Sequence, residues 1–363
     1  MSRKKLIVFP TEDQVKYICS IVSDYEFYIL MHSSVNVSML PKDNRVILLC
    51  GGSSEELIEN IGVDVDVLCC HEEGLYWLKK FGHIGWNYQF STEIFELLTK
   101  NKFKDYLLKH SIPNADYCEK ISDIKSYPII IKPIIGFGSI GVKKINNLSE
   151  LKNYLNEYYK DVINSKIKPY KDKYFDINDN SFILENYISG CFYRTPFVVL
   201  ENEVKYIFPI IGKETTYKKN SDFHWTDFEY GADEREIAVK LQPILNKLSL
   251  LFKLKSGVYV AEFILSDQGE VYLLELSPRQ TSNRIARLVK LAAGLDMEKL
   301  AVDIFLSDVD NKSLANRNIR MRIERNSDRL DESIYSVIDS IEETSVYGDI
   351  IQTIYYEKRI SNE

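Results

Sequence analysis

Gly257–Arg287, GVYVAEFILSDQGEVYLLELSPRQTSNRIAR, reads as strand, tight turn, strand and helix. Gly257–Leu265 and Val271–Ser277 are rich in the Val, Tyr, Phe, Ile and Leu that suit a pleated sheet, and Asp267–Glu270 is turn-like. With the turn centred between Gln268 and Gly269, a two- or four-residue loop sets Glu262 directly opposite Glu275, whereas a three-residue loop breaks that register. Each glutamate interrupts an apolar run. Glu262 shares a face with Val258, Val260 and Ile264, and Glu275 shares one with Val271, Leu273 and Ser277. Carboxylates opposed on a sheet have Cβ atoms about 4.5–5.5 Å apart. One of them must then take up a proton, or a cation must sit between them. A hard divalent ion such as Mg2+ suits these oxygens, with Ser277 as a third donor and Arg279 close to any anion the metal holds. The competing reading is an exposed hairpin with two solvated glutamates, which the apolar neighbours disfavour.

The 363 residues suffice for two or three compact units. A hydrophobic share of 45% and a charged share of 27% describe a globular chain with a sizeable core. The net charge of −7 argues against nonspecific nucleic-acid binding, which needs a basic surface. No apolar run has the length of a membrane span, and LIVF near the start is too short for a signal-peptide core. The six cysteines show no metal-type spacing and read as buried thiols of a cytoplasmic protein.

Upstream, Lys5–Phe9, Phe27–Met31, Val46–Cys50 and Val65–Cys70 are short apolar strands separated by helix-length segments, the pattern of a parallel α/β layer. Cys50–Glu55 (CGGSSE) could hold an anion at a helix N-terminus, although a capped turn is the simpler reading. His71, Glu72 and Glu73 follow the fourth strand. They lie at the sheet edge where ligands bind, or in a solvated loop, the simpler of the two. Thr92–His110 is amphipathic, with room for a break near Asn101, and Ser111-Ile112-Pro113 ends it at a domain boundary.

Tyr127–Ile145, YPIIIKPIIGFGSIGVKKI, is the second informative stretch. Lys132 sits inside an apolar strand, where a lone ammonium needs an anion. Gly136, Gly138 and Gly141 spell G-x-G-x-x-G, but Val142–Ile145 reads as a strand where the dinucleotide fingerprint requires a helix. A glycine-rich hairpin able to fold over phosphates fits better. A surface hairpin with a snorkelling lysine is the alternative. Glu185 lies in the strand Ser181–Ile188. Lys213–Asp233 is a long polar loop in which Asp227 or Glu229 could bind an ammonium. Leu314–Glu363 reads as a strand, a helix and an aromatic tail.

IIIKPIIGFGSIGV, LENYISG and GVYVAEFILSDQGEVYLLELSPR, in that order, resemble the ATP-grasp superfamily, mostly carboxylate–amine or carboxylate–thiol ligases. The resemblance covers roughly Lys102 to Leu306. It implies an α/β protein with four parts. These are an N-terminal parallel domain (1–112), a lid subdomain with the glycine-rich loop (113–190), a catalytic subdomain (191–310) and a C-terminal extension (311–363), the two subdomains clasping ATP. By this resemblance Lys132 and Lys102 contact the ATP phosphates, with Lys104 as the rival of Lys102. Gly136, Gly138, Ser139 and Gly141 belong to the phosphate-covering loop. Glu185 starts the adenine and ribose segment, and Tyr187 and Ile188 offer backbone contacts to adenine. Glu262 and Glu275 match the magnesium carboxylates, Mn2+ being a substitute metal. Arg279 matches the arginine that steadies the acyl-phosphate. Ser277 departs from the asparagine usual at its position. The implied activity is ATP- and Mg2+-dependent joining of a small-molecule carboxylate to an amine through an acyl-phosphate, with a homodimer compatible with it. The alternative is a nucleotide-binding regulatory protein that performs no ligation.

Overall fold

The computed structural model describes residues 4–21, 25–32, 40–41, 43–49, 59–83, 85–136, 138–160, 164, 168–174, 182–213, 227–281, 283–306, 319–324, 335–344 and 350–358. Cys50–Glu55 and most of the polar loop before Asp227 lie outside these residues.

The N-terminal layer is a five-stranded parallel sheet in the order β3-β2-β1-β4-β5, built from β1 (Lys4–Val8), β2 (Glu26–Leu30), β3 (Val46–Leu49), β4 (Val65–Cys69) and β5 (Asn87–Tyr88). Burial on both faces explains the apolar residues of β1 and β4, and the buried Lys5 and Asp66 on these neighbouring strands pair with each other at 2.9 Å. Helix α1 (Glu12–Ser20) follows β1, starting in a capping box between Thr11 and Gln14. Helix α2 (Glu72–Phe81) follows β4, its first turn capped by His71 Nδ1, which accepts from the Glu73 amide at 3.2 Å. The strand order reverses between β1 and β4, so their carboxyl ends flank the crevice where such sheets bind ligands. Glu72 and Glu73 stand there buried, not in a solvated loop.

Helix α3 (Lys100–Lys109) crosses to the second unit, with the Lys100 amide donating to the Ile134 carbonyl at 2.9 Å. That unit is an antiparallel sheet, β6-β9-β7-β8, of Tyr117–Cys118, Phe182–Asn186, Ile129–Pro133 and Lys143–Ile145 respectively. It carries helices α4 (Leu148–Tyr154) and α5 (Lys168–Tyr174). The strands β7 and β8 pair antiparallel around the glycine-rich loop, as the hairpin reading requires. Gly136, Gly138, Ser139 and Gly141 have φ of 136°, 65°, 58° and 73°, a left-handed run that favours glycine.

The third unit is a nine-stranded sheet. Its strands are β10 (Gly190–Leu200), β11 (Glu203–Ile207), β12 (Ile210–Lys213), β13 (Asp227–Tyr230), β14 (Gly257–Ser266), β15 (Val271–Ser277), β16 (Ile319–Glu324), β17 (Tyr335–Thr344) and β18 (Ile350–Lys358). Helices α6 (Ala232–Leu251), α7 (Asn283–Ala293) and α8 (Met297–Leu306) belong to it. Gly190 begins β10 against β14. A Cβ there would stand 2.1 Å from the Leu265 carbonyl oxygen, which only glycine avoids. Strand β16 pairs with β13, so the described strands after residue 311 continue the sheet of the third unit instead of forming a separate extension. The helix expected within Leu314–Glu363 is instead strand where the chain is described. YSVIDSIEET carries apolar spacings of both periods, and its β-branched residues together with pairing to β18 decide for strand. Among the described residues no helix is long and apolar enough to cross a membrane. The five described cysteines are free, with Cys69 and Cys70 buried and Cys191, contrary to expectation, exposed.

Candidate active site

The hairpin of β14 and β15 opposes Glu262 and Glu275, by a different route from the even loop expected. The Ser266 amide donates to the Glu270 carbonyl at 2.8 Å, which closes a three-residue loop with Gly269 left-handed at φ 85°. Alone that loop would put the glutamates out of register. Leu265 pairs with Val271 and Phe263 with Leu273, but Glu262 pairs with Glu275, so Leu274 is an extra, bulged residue that shifts the ladder by one. The bulge also changes the faces. Leu273 stays in the main hydrophobic core with Val271 packed against it, while Glu275 and Ser277 turn to the cleft. Glu275 therefore does not share the face of Leu273, as strict alternation predicted.

Glu262 is held by Arg194, opposite it on β10. The guanidinium donates twice to the same oxygen, Oε1, from Nε at 2.9 Å and Nη2 at 2.6 Å. Both bonds end on one atom, which leaves Oε2 to meet a cation. Glu275 is different. Burial, then the facing Glu262, then Glu72 push its carboxyl up to about 7, and Lys100 and Arg279 only partly offset them. Ser277 Oγ lies 3.3 Å from Glu275 Oε1 and 3.1 Å from Glu72 Oε2. Arg279 donates from Nε to Glu72 Oε2 at 2.7 Å and from Nη1 to the Gln280 carbonyl at 2.7 Å.

Toward the second unit, Glu185 on β9 is buried between two lysines. Lys132 Nζ on β7 donates to Oε2 at 2.6 Å, and Lys104 Nζ lies 3.4 Å from Oε1. Burial raises the Glu185 carboxyl, but Lys104 and Lys132 outweigh it and the net shift is downward. Burial lowers the Lys104 ammonium, partly countered by Glu185. Lys100 Nζ donates to the Gly136 carbonyl at 2.9 Å, which ties α3 to the glycine-rich loop. Tyr187 spends its amide on the Pro128 carbonyl at 3.2 Å, and its ring lies 3.7 Å under Lys144 Nζ.

One cleft is lined by Lys132, Gly136, Gly138, Ser139, Glu185, Tyr187, Ile188, Glu262, Glu275, Ser277 and Arg279, by Lys104, the rival of Lys102, by Glu72 from the sheet edge, and by Lys100 and Arg194, which the sequence reading did not single out. Gly141 adjoins it, its carbonyl accepting from Tyr154 at 3.2 Å. Lys102 lies outside it, with a side chain 57% exposed and Glu96 3.6 Å away. Helical geometry is the reason. Positions 100 and 104 share one face of α3, whereas 102 lies about 200° round from 100. The same period could have preferred Lys104. Arg194 is marked only as a charge in the apolar run CFYRTPFVV, and Glu72 belongs to another layer altogether. Asp227 and Glu229 sit on β13 and do not line the cleft.

These residues fit Mg2+ and a nucleotide. Among the described residues no three His, Cys, Asp or Glu side chains close on a common point. Mg2+ typically uses one or two carboxylates and completes its shell with phosphates and water, and two opposed, half-buried carboxylates meet that need. Among the described residues the buried Thr281 hydroxyl on the cleft wall has no hydrogen-bond partner, and the buried Lys104 ammonium has the Glu185 ion pair at 3.4 Å but no hydrogen bond of good geometry. Ile130, Phe192, Ile264 and Leu274 supply an apolar wall.

The ATP-grasp domain model matches residues 125–287. The D-alanine–D-alanine ligase of Aquifex aeolicus is 24% identical over 178 residues, covering 48% of this chain and 54% of that one, so the chain spans a little over half the length of that curated relative. The L-amino acid ligase from Bacillus licheniformis superposes with a TM-score of 0.69 at 12% identity, covering 99% of this chain and 94% of that chain. N5-carboxyaminoimidazole synthase from Aspergillus clavatus, in complex with ADP and its aminoimidazole ribonucleotide, gives a TM-score of 0.68 at 14% identity, with 98% and 93% covered.

Proposed function

Because residues 125–287 are an ATP-grasp domain, we propose that this chain is an ADP-forming ligase that joins a carboxylate to an amine. The observation that carries the reading is the opposed pair Glu262 and Glu275 in a cleft rich in cations. ATP would lie with its base against Ile130, Phe192 and the 187–188 backbone, and its phosphates toward Lys104, Lys132, Lys100 and the glycine-rich loop. Mg2+, on Glu262 and Glu275, would supply charge neutralisation for the phosphates. Mn2+ suits the same donors.

In the first step a substrate carboxylate oxygen attacks the γ-phosphorus. The bond from that phosphorus to the β–γ bridging oxygen breaks, and ADP leaves. In the second, an amine nitrogen attacks the acyl carbon, the carbon–oxygen bond to phosphate breaks, and the nitrogen gives up a proton. An anion must approach a polyanion in the first step. Lys100 and Arg279 reduce that repulsion, and in-line positioning supplies much of the remaining rate. Arg279 stands where it can steady the acyl-phosphate. The loop 136–141 would exclude water from that hydrolysable species.

Hydroxylamine trapping tests this reading. With Mg-ATP and the right carboxylate, hydroxylamine should intercept the acyl-phosphate as a hydroxamate, at a rate matching ADP release. Nucleotide binding without hydroxamate for any carboxylate would favour the regulatory alternative.

A further inference from the structure

Glu73 is a buried carboxylate outside the cleft with three side-chain partners. Its Oε2 lies 2.8 Å from His32 Nε2, beyond the end of β2. Its Oε1 accepts from Lys173 Nζ at 2.9 Å and from the Tyr174 hydroxyl at 2.5 Å. Burial pushes this carboxyl up, yet the hydrogen bonds from His32, Tyr174 and Lys173 outweigh it and hold it at about 2. Lys173 and Tyr174 end α5, which lies in chain order between α4 and β9 of the glycine-loop unit and whose Tyr174 shares a hydrophobic core with Ile183 of β9. Two further contacts run along α2. The Tyr76 and Tyr174 rings are 6.2 Å apart, and Lys80 Nζ donates to the Lys173 carbonyl at 2.8 Å. Glu73, Tyr76 and Lys80 are spaced i, i+3 and i+7, so one stripe of α2 faces α5.

Glu72 comes one residue earlier and points about 100° away round the helix. Its Oε2 accepts from Arg279 Nε and faces Ser277 Oγ. The start of α2 therefore meets the glycine-loop unit on one side and the catalytic hairpin on the other. It does so from outside residues 125–287, so nothing in the family match assigns it a role.

We infer that Glu73 is a positioning residue that fastens the glycine-loop unit to the N-terminal layer and so sets the closure of the cleft on its nucleotide, while Glu72 holds Arg279 in register from the same helix. This rests on the nucleotide reading of the cleft. Stripping this buried carboxylate of its charge weakens three partnerships at once, and two of them are with α5. The glycine-loop unit is then held less tightly to α2, through the Tyr76 and Lys80 contacts, without any change at the phosphate-binding residues themselves.

The test uses the full chain with Glu73→Gln and, as a gentler change, Tyr174→Phe, which removes one hydrogen bond and keeps the ring. Two readouts are needed: hydrogen exchange of the peptide 168–174 against that of β14 and β15, and Mg-ADP affinity by calorimetry. Exchange in 168–174 should rise about tenfold or more in Glu73→Gln while the hairpin is unmoved, and Mg-ADP binding should weaken about tenfold. Tyr174→Phe should lie between wild type and Glu73→Gln on both. Exchange rising uniformly across the chain, or Mg-ADP affinity unchanged despite local opening, would overturn the inference. Should the wild-type chain bind no Mg-ADP, the nucleotide reading fails, whereas the exchange pattern still decides whether Glu73 is the fastening.

Discussion

Glu185 and Glu275 line the same cleft and are biased toward opposite protonation states. Glu185 lies between Lys104 and Lys132 and is held below the ordinary carboxylate range. Glu275 faces Glu262 and Glu72 and is pushed up to about 7. Burial opposes ionisation at both, so the neighbours decide. Glu185 is balanced by the protein's own cations, and on the proposed nucleotide reading it would order Lys104 and Lys132 toward the phosphates. Lys100 and Arg279 only partly offset the charges around Glu275, and on the same reading a metal would supply the rest.

The largest effect that can break this contrast comes from neutralising each glutamate in turn. Glu275→Gln should lower ADP formation about a thousandfold, the few kcal/mol a metal contributes to such a transition state. Its folded state should melt no earlier than wild type at pH 8, because a repulsion has been removed. Glu185→Gln should instead destabilise the fold by about 3 kcal/mol, since it leaves the buried Lys104 and the half-buried Lys132 short of a carboxylate. Thermal melts and ADP assays on both variants check the pair. Equal losses of stability would erase the distinction.

Much of this cleft was legible from residue order. A glutamate opposed to a glutamate, a lysine in an apolar strand and three glycines before a second strand are local patterns, and local patterns survive in a sequence. Two features were not legible. The register came right through the Leu274 bulge, which compensates a three-residue loop, and nothing in GEVYLLELS marks which residue bulges. Glu72 reaches Arg279 across a sequence separation of more than two hundred residues, and only the reversal of strand order between β1 and β4 brings them together. Lys102 stands between these cases, because the helical period that rejects it was present in the sequence.

A smaller effect separates the lysines of α3. Lys104→Met should weaken Mg-ADP binding about ten- to hundredfold, the range of a charged hydrogen bond, whereas Lys102→Met should change it less than about twofold. Calorimetry distinguishes them, and a strong Lys102 phenotype would contradict the placement of that residue outside the cleft.

The smallest effect is in pH. The folded-state value of Glu275 lies above its ordinary value of 4.5, so its stabilising protonation is fully present below that value and is lost as pH rises through about 7. A metal must displace that proton. Mn2+ affinity in the presence of ADP should therefore rise with pH, by up to about tenfold per unit below 7, and flatten above it. Electron paramagnetic resonance titrations at several pH values read this slope. The slope should vanish in Glu275→Gln.

The most direct measurement is phosphate release from Mg-ATP across amino acids and small carboxylates, tested singly and in pairs, with mass spectrometry of every active mixture. Release that requires a pair, with a product lighter by one water than the two substrates together, is the predicted result. Release sustained by one carboxylate alone with no joined product, or nucleotide binding with no release from any pair, would contradict the assignment of this cleft as a ligase site.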